Sequence, residues 1–146
     1  MKQSHFEPIS ERVINSMVEL ARCSKRQRIL VAGSQSHQMM IRLHQCGYYR
    51  IDTTASCGLP RAQYDVALVD WRGRSMKALE TTLDWLVNFL SPAGVLVLWI
   101  ECREASRALS SILERYGFRA EAGTRGAEGV EISACRRESP ATAEAA

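Results

Sequence analysis

The sequence predicts an α/β domain: a three-layer sandwich around a mostly parallel sheet of about six strands, closed by an antiparallel C-terminal hairpin. Three observations carry this. Strand-sized apolar runs at residues 29–32, 64–70 and 95–100 alternate with stretches whose apolar residues recur at helical spacing, the pattern of a sheet built by right-handed crossovers. The run at 95–100 is apolar throughout, as a strand covered on both faces must be. The last two expected strands, 118–123 and 130–135, have only a glycine-rich segment between them, too short for a helical crossover, so they pair antiparallel.

Taken in order, Ser10 follows Pro8 as a helix cap, and Val13, Ile14, Met17, Val18 and Ala21 form an apolar stripe on a helix expected within 8–24. Residues 28–32 read as a buried strand ending at Gly33. Ser36 can cap a second helix with Met39, Met40, Leu43 and Cys46 inward, and Gly47 suits a left-handed stop. Residues 48–54 form a second, weaker strand. About nine residues then join it to the strand at 64–70, too few for a helical crossover. Leu79, Leu83, Leu86, Val87 and Leu90 line a long helix that Ser91, Pro92, Ala93 and Gly94 end. The final helix places Ala105, Ala108, Leu109, Ile112, Leu113 and Tyr116 on one face and stops at Gly117. One domain over 1–137 is expected, and residues 138–146, which lack core-forming side chains, read as a disordered tail.

No apolar run approaches the ~20 residues of a membrane span, and no apolar stretch follows Lys2, so a cytoplasmic protein without a secretory signal is the expectation. The five cysteines show no Cys-x-x-Cys spacing, which argues against a zinc site and a disulfide framework. A net charge of +3 is mild, but Arg22, Lys25, Arg26 and Arg28 concentrate it ahead of the first strand. Such a run is either a solvated linker or a nucleic-acid contact, and no aromatic residue interleaves it.

Three segments carry a family resemblance. Leu59-Pro60-Arg61-Ala62-Gln63-Tyr64-Asp65-Val66-Ala67-Leu68, Leu90-Ser91-Pro92-Ala93-Gly94-Val95-Leu96-Val97 and Leu113-Glu114-Arg115-Tyr116-Gly117-Phe118 lie in order. They resemble the "LPF…FDVVL", "LKPGGxLV" and "LexaGF" segments of the class I (Rossmann-like) S-adenosylmethionine-dependent methyltransferases. The resemblance covers about half of the chain, and residues 17–33 extend it as the lead-in helix and first strand. It implies a Rossmann-like fold, S-adenosylmethionine as cofactor if the protein is active, and Gly33, Ser34, Gln35 and Asp52 as the residues lining that cofactor.

Two departures accompany it. The family's first motif runs roughly "D-x-G-x-G-x-G", and Val31, Gly33, Gln35 and His37 stand at its acid and three glycines, so side chains occupy space the methionine moiety needs. The family also fits a helix, a strand, another helix and another strand between Gly33 and Tyr64, where this chain has room for one helix and one strand. Asp52 is the candidate for the ribose-binding acid, at the end or in the interior of its strand. A receiver domain is the competing resemblance, with Asp70 ending a central strand, but Ala32, Gly33 and Ser34 supply no acidic pair for magnesium.

Ligands of such sheets bind beyond the carboxyl ends of the strands. There Asp70 is the one catalytic candidate: the resemblance implies a residue that positions a substrate amine at this place, and the alternative is a helix-capping or loop aspartate bonded to backbone amides. Arg72, Arg74 and Arg103 either converge with Ser34 and Ser36 on an anion or are solvated. Trp71 packs or stacks on a planar ligand, and His37 and His44, two turns apart, cannot share a metal. The expected function is a methyltransferase-like pseudo-enzyme with weak or lost cofactor binding, a regulatory or structural partner of another protein. The alternatives are an active methyltransferase on a small molecule or protein, and a nucleic-acid-associated domain. The stripe on the first helix can cover its own sheet or join a homodimer.

Overall fold

The computed structural model describes residues 11–53, 63–72, 74–101, 106–125 and 130–137. The chain runs α1 (Glu11–Ala21), β1 (Ile29–Gly33), α2 (Ser36–Gln45), β2 (Ile51–Thr53), β3 (Tyr64–Asp70), α3 (Met76–Leu86), β4 (Leu90–Glu101), α4 (Ser106–Arg115), β5 (Phe118–Arg125) and β6 (Val130–Arg137). The strands form one sheet in the order β2-β1-β3-β4-β6-β5. Only β6 runs against its neighbours, pairing antiparallel with both β4 and β5. This is the Rossmann-like α/β sandwich with the mixed sheet and terminal hairpin that the sequence predicts.

Alternation along the strands splits the core into two layers. Ile29, Val31, Val66, Leu68, Val95 and Val97 face α1 and α2, whereas Leu30, Ala32, Ala67, Val69, Leu96 and Leu98 face α3 and α4. On α1 the side chains of Ile14, Met17, Val18 and Ala21 are buried in the first of these layers, and burying Ile14 and Met17 contributes about 2–3 kcal/mol each. The α1 stripe therefore covers the sheet of its own chain, over β4 and β6. Of the two roles open to the stripe, covering its own sheet or joining a homodimer, the first is the one it takes.

The helix ends differ from expectation in instructive ways. Helix α1 stops at Ala21, short of residue 24, because Arg22 turns left-handed at φ 55°. The Arg22 N–H then donates to Glu19 and the Cys23 N–H to Val18, a Schellman closure with arginine where glycine is favoured. The same closure ends α2 with the favoured residue: Gly47, at φ 97°, donates to His44, and Tyr48 to Leu43. Ser36 does not cap α2. Gln35 holds that position without a side-chain cap, and Ser36 is the first helical residue. Ser75 does cap α3, accepting from the Ala78 N–H at 3.1 Å.

Two further boundaries shift. Strand β2 is three residues long and not seven, since residues 48–50 make the turn out of α2. Helix α3 ends at Leu86, and Leu90 is already the first residue of β4, paired with Tyr64. Pairing resumes at Val66 with Val95, so Ser91 to Gly94 bulge out of the ladder opposite Asp65. The helix stop expected at Ser91 to Gly94 therefore falls inside β4, and the helix closes earlier, in the turn at residues 87–89. Ser10, the 54–62 part of the crossover, the hairpin loop 126–129 and the tail lie outside the described residues. Among the described residues, no helix is long and apolar enough to cross a membrane.

Candidate functional site

The carboxyl ends of β1, β3 and β4 meet in one row, with Gly33 paired to Asp70 and Asp70 to Trp99. Gly33 sits at φ 99°, and a Cβ there would stand 2.1 Å from the Asp70 carbonyl oxygen. The Ser34 N–H donates to that same oxygen at 2.8 Å. Glycine at 33 is therefore explained by the backbone of β3, without any ligand.

Asp70 is fully buried, and its carboxylate is closed by its own loop. Arg72 grips it in bidentate fashion, Nε to Oδ1 and Nη2 to Oδ2, both at 2.9 Å, while the Arg72 N–H also reaches Oδ1 at 3.2 Å. The guanidinium, 4% exposed, lies flat on the Trp99 indole, 3.3 Å from the ring centroid. A buried carboxylate is very costly alone, and a forked cation with a stacked underside is among its best partners. Arg72 consequently turns into the core, away from the anion site expected of it.

Arg74 remains outside. Its Nε donates to Ser34 Oγ at 3.2 Å, and its guanidinium lies 5.0 Å from the Trp71 ring centroid. Ser34 Oγ in turn donates to the Arg72 carbonyl at 3.4 Å. Trp71 is buried, with its Nε1 donating to the Ser75 carbonyl, and so packs rather than presenting a face to a ligand. His37 and His44 are exposed on α2. Arg103 lies outside the described residues, as do Cys57 and Cys102.

Asp52 stands elsewhere. It pairs in register with Leu30, three residues before Gly33, and so lies roughly 10 Å back from the carboxyl edge along the strand. Its Oδ2 accepts the Tyr64 hydroxyl at 2.6 Å. Gly33, Ser34 and Gln35 thus share the edge, while Asp52 is the middle residue of β2.

The chain is 17% identical to a precorrin-6y C5,15-methyltransferase from Geobacter metallireducens, over 86% of this chain and 88% of that one, at a TM-score of 0.61. A tRNA methyltransferase from Aquifex aeolicus superposes at 0.63, with 11% identity over 92% of this chain and 71% of its own. The cyclase SpnF superposes at 0.67, with 13% identity over 88% and 81%. The fold is that of the class I methyltransferases. No family model and no curated protein sequence matches the chain. Because one neighbour is a cyclase, the methyltransferase fold does not by itself fix the reaction.

Within that fold, the sequence reading missed two pairings. An acid ending a central strand with arginine two residues on, beside a tryptophan on the next strand, was the available sign of the Asp70–Arg72–Trp99 stack. The Tyr64–Asp52 bond had no local sign, since it spans the sheet between β2 and β3.

Proposed function

We propose that this domain keeps the methyltransferase architecture but binds S-adenosylmethionine weakly or not at all, and acts through contacts, as a regulatory or structural partner. The observation that carries this reading is the closure of Asp70 by Arg72 over Trp99. A carboxylate with both oxygens taken, at 0% exposure, is not offered to a substrate amine. The other residues fit the cofactor poorly. Gly33 spends its missing Cβ on the Asp70 backbone, Gln35 and His37 bring side chains where the family has glycine, and Asp52 is held by Tyr64 away from the edge.

Calorimetric titration with S-adenosylmethionine tests the reading, with no saturation expected below the high-micromolar range. A low-micromolar dissociation constant, or cofactor retained through purification, would sink it and favour an active methyltransferase. Light scattering at micromolar concentration reads whether a second copy is the partner. The α1 stripe is not the contact surface, since its side chains are buried in their own domain.

A further inference from the structure

The opposite edge of the sheet, where the strands begin, carries an arrangement that the proposed function leaves unused. The loop from α1 to β1 holds Arg22, Lys25, Arg26 and Arg28, and the turn from α2 to β2 holds Tyr49 and Arg50. Parallel pairing of β1 with β2 brings the two loops side by side, and the Ile29 N–H donates to the Arg50 carbonyl at 2.8 Å. Among the described residues, none of these five cations forms an ion pair. The carboxylates nearby are Glu19, in the last turn of α1, and Asp65, whose Oδ2 accepts the Arg28 backbone N–H.

The fold also supplies what the basic run lacks in sequence, namely aromatic faces. Lys25 Nζ lies 5.6 Å from the Tyr48 ring centroid, and the Arg50 guanidinium 5.8 Å from that of Tyr49. Tyr48 is buried, but Tyr49 is 60% exposed, the most exposed of the large apolar side chains among the described residues. Arg22 adds a third sign. A non-glycine residue held left-handed costs about 1 kcal/mol, and glycine would close the helix there without that strain.

We propose that this edge binds single-stranded nucleic acid, its phosphates held by Arg22, Lys25, Arg26 and Arg50 and a base stacked on Tyr49. Cations without ion pairs among the described residues, around an exposed planar ring, match a strand that alternates phosphates with flat bases. An acidic protein segment would use the cations and leave the ring idle. The inference is independent of the carboxyl edge, so either reading can fail alone.

The test is fluorescence anisotropy of labelled oligouridylate and oligodeoxythymidylate, titrated with the full chain across a range of salt. Saturable binding that weakens linearly in log–log salt is expected, and the tighter of the two strands identifies the sugar recognised. Tyr49→Ala should weaken it roughly tenfold with the salt slope unchanged, because it removes stacking and no charge. Arg26→Glu and Arg22→Gly should each flatten the slope by about 0.7, while Lys77→Glu, on α3, leaves affinity and slope unaltered. Circular dichroism checks that every variant is folded. No binding at low salt overturns the proposal. Competition by polyglutamate as effective as by unlabelled oligonucleotide, with Tyr49→Ala behaving as the natural chain, also overturns it in favour of an acidic protein.

Discussion

The two edges of the sheet treat their polar groups in opposite ways. At the carboxyl edge, where relatives of this fold bind ligands, the polar side chains bond to one another: Asp70 to Arg72, Arg72 to the Trp99 face, Arg74 to Ser34. At the amino edge, five cations stand without ion pairs among the described residues, beside a largely exposed tyrosine. Internal satisfaction makes a surface rigid and closed, and unspent charge makes it receptive. On the proposed function, the carboxyl edge is structure and contact is made at the amino edge.

If the carboxyl edge is structural, its substitutions should cost stability. The largest effect is expected from Gly33→Ala, where a Cβ meets the Asp70 carbonyl at 2.1 Å and φ is 99°. Urea denaturation should show a loss above about 4 kcal/mol, or no folded protein. Arg72→Met should follow at about 3–5 kcal/mol, because it strands a buried carboxylate. Adding Asp70→Leu to it should recover most of that loss, as the charge and its partner then leave together. A mild effect of Arg72→Met alone would mean that the pair opens in solution and that the edge is accessible.

The amino edge should respond in the other direction. Arg22→Gly relieves a left-handed arginine and should raise stability by about 0.5–1 kcal/mol, read as a shift in urea midpoint at constant m-value. The smallest effect at neutral pH comes from Cys23, whose thiol is pushed up from 9.0 to about 12 by burial first and by the Asp65 charge second. Below pH 9 both folded and unfolded chains keep that proton, and the burial is without pH cost. From 9 to about 12 the unfolded chain releases it while the folded chain does not, so stability falls as pH rises. Alkaline denaturation of the natural chain and Cys23→Ala should diverge over that window and coincide below it.

The strands that lie between helices were legible from sequence, because burial on both faces demands apolar runs such as 64–70 and 95–100. What burial does not dictate was less legible. Strand β2 is short because it lies at the sheet edge, paired on one side to β1, so a seven-residue polar-apolar stretch contributes only Ile51–Thr53. Ser36 carries the chemistry of a cap, but the turn after Gly33 places Gln35 there instead. At the site, Gly33 was readable as a conformational requirement, whereas its cause, the Asp70 backbone, was a tertiary matter. The aromatic side of the basic edge was invisible for the same reason. Tyr49 lies more than twenty residues beyond Arg28, and only the pairing of β1 with β2 brings their loops together.

The contrast between the edges is tested most directly by one amide chemical-shift map of the full chain, titrated in parallel with S-adenosylmethionine and with oligouridylate. The account predicts that micromolar S-adenosylmethionine leaves the Gly33, Ser34 and Gln35 amides in place, while the oligonucleotide moves those of residues 22–28 and 47–50. Shifts at Gly33, Ser34 and Gln35 that saturate at low-micromolar S-adenosylmethionine, with residues 22–28 unmoved by the oligonucleotide, would contradict it.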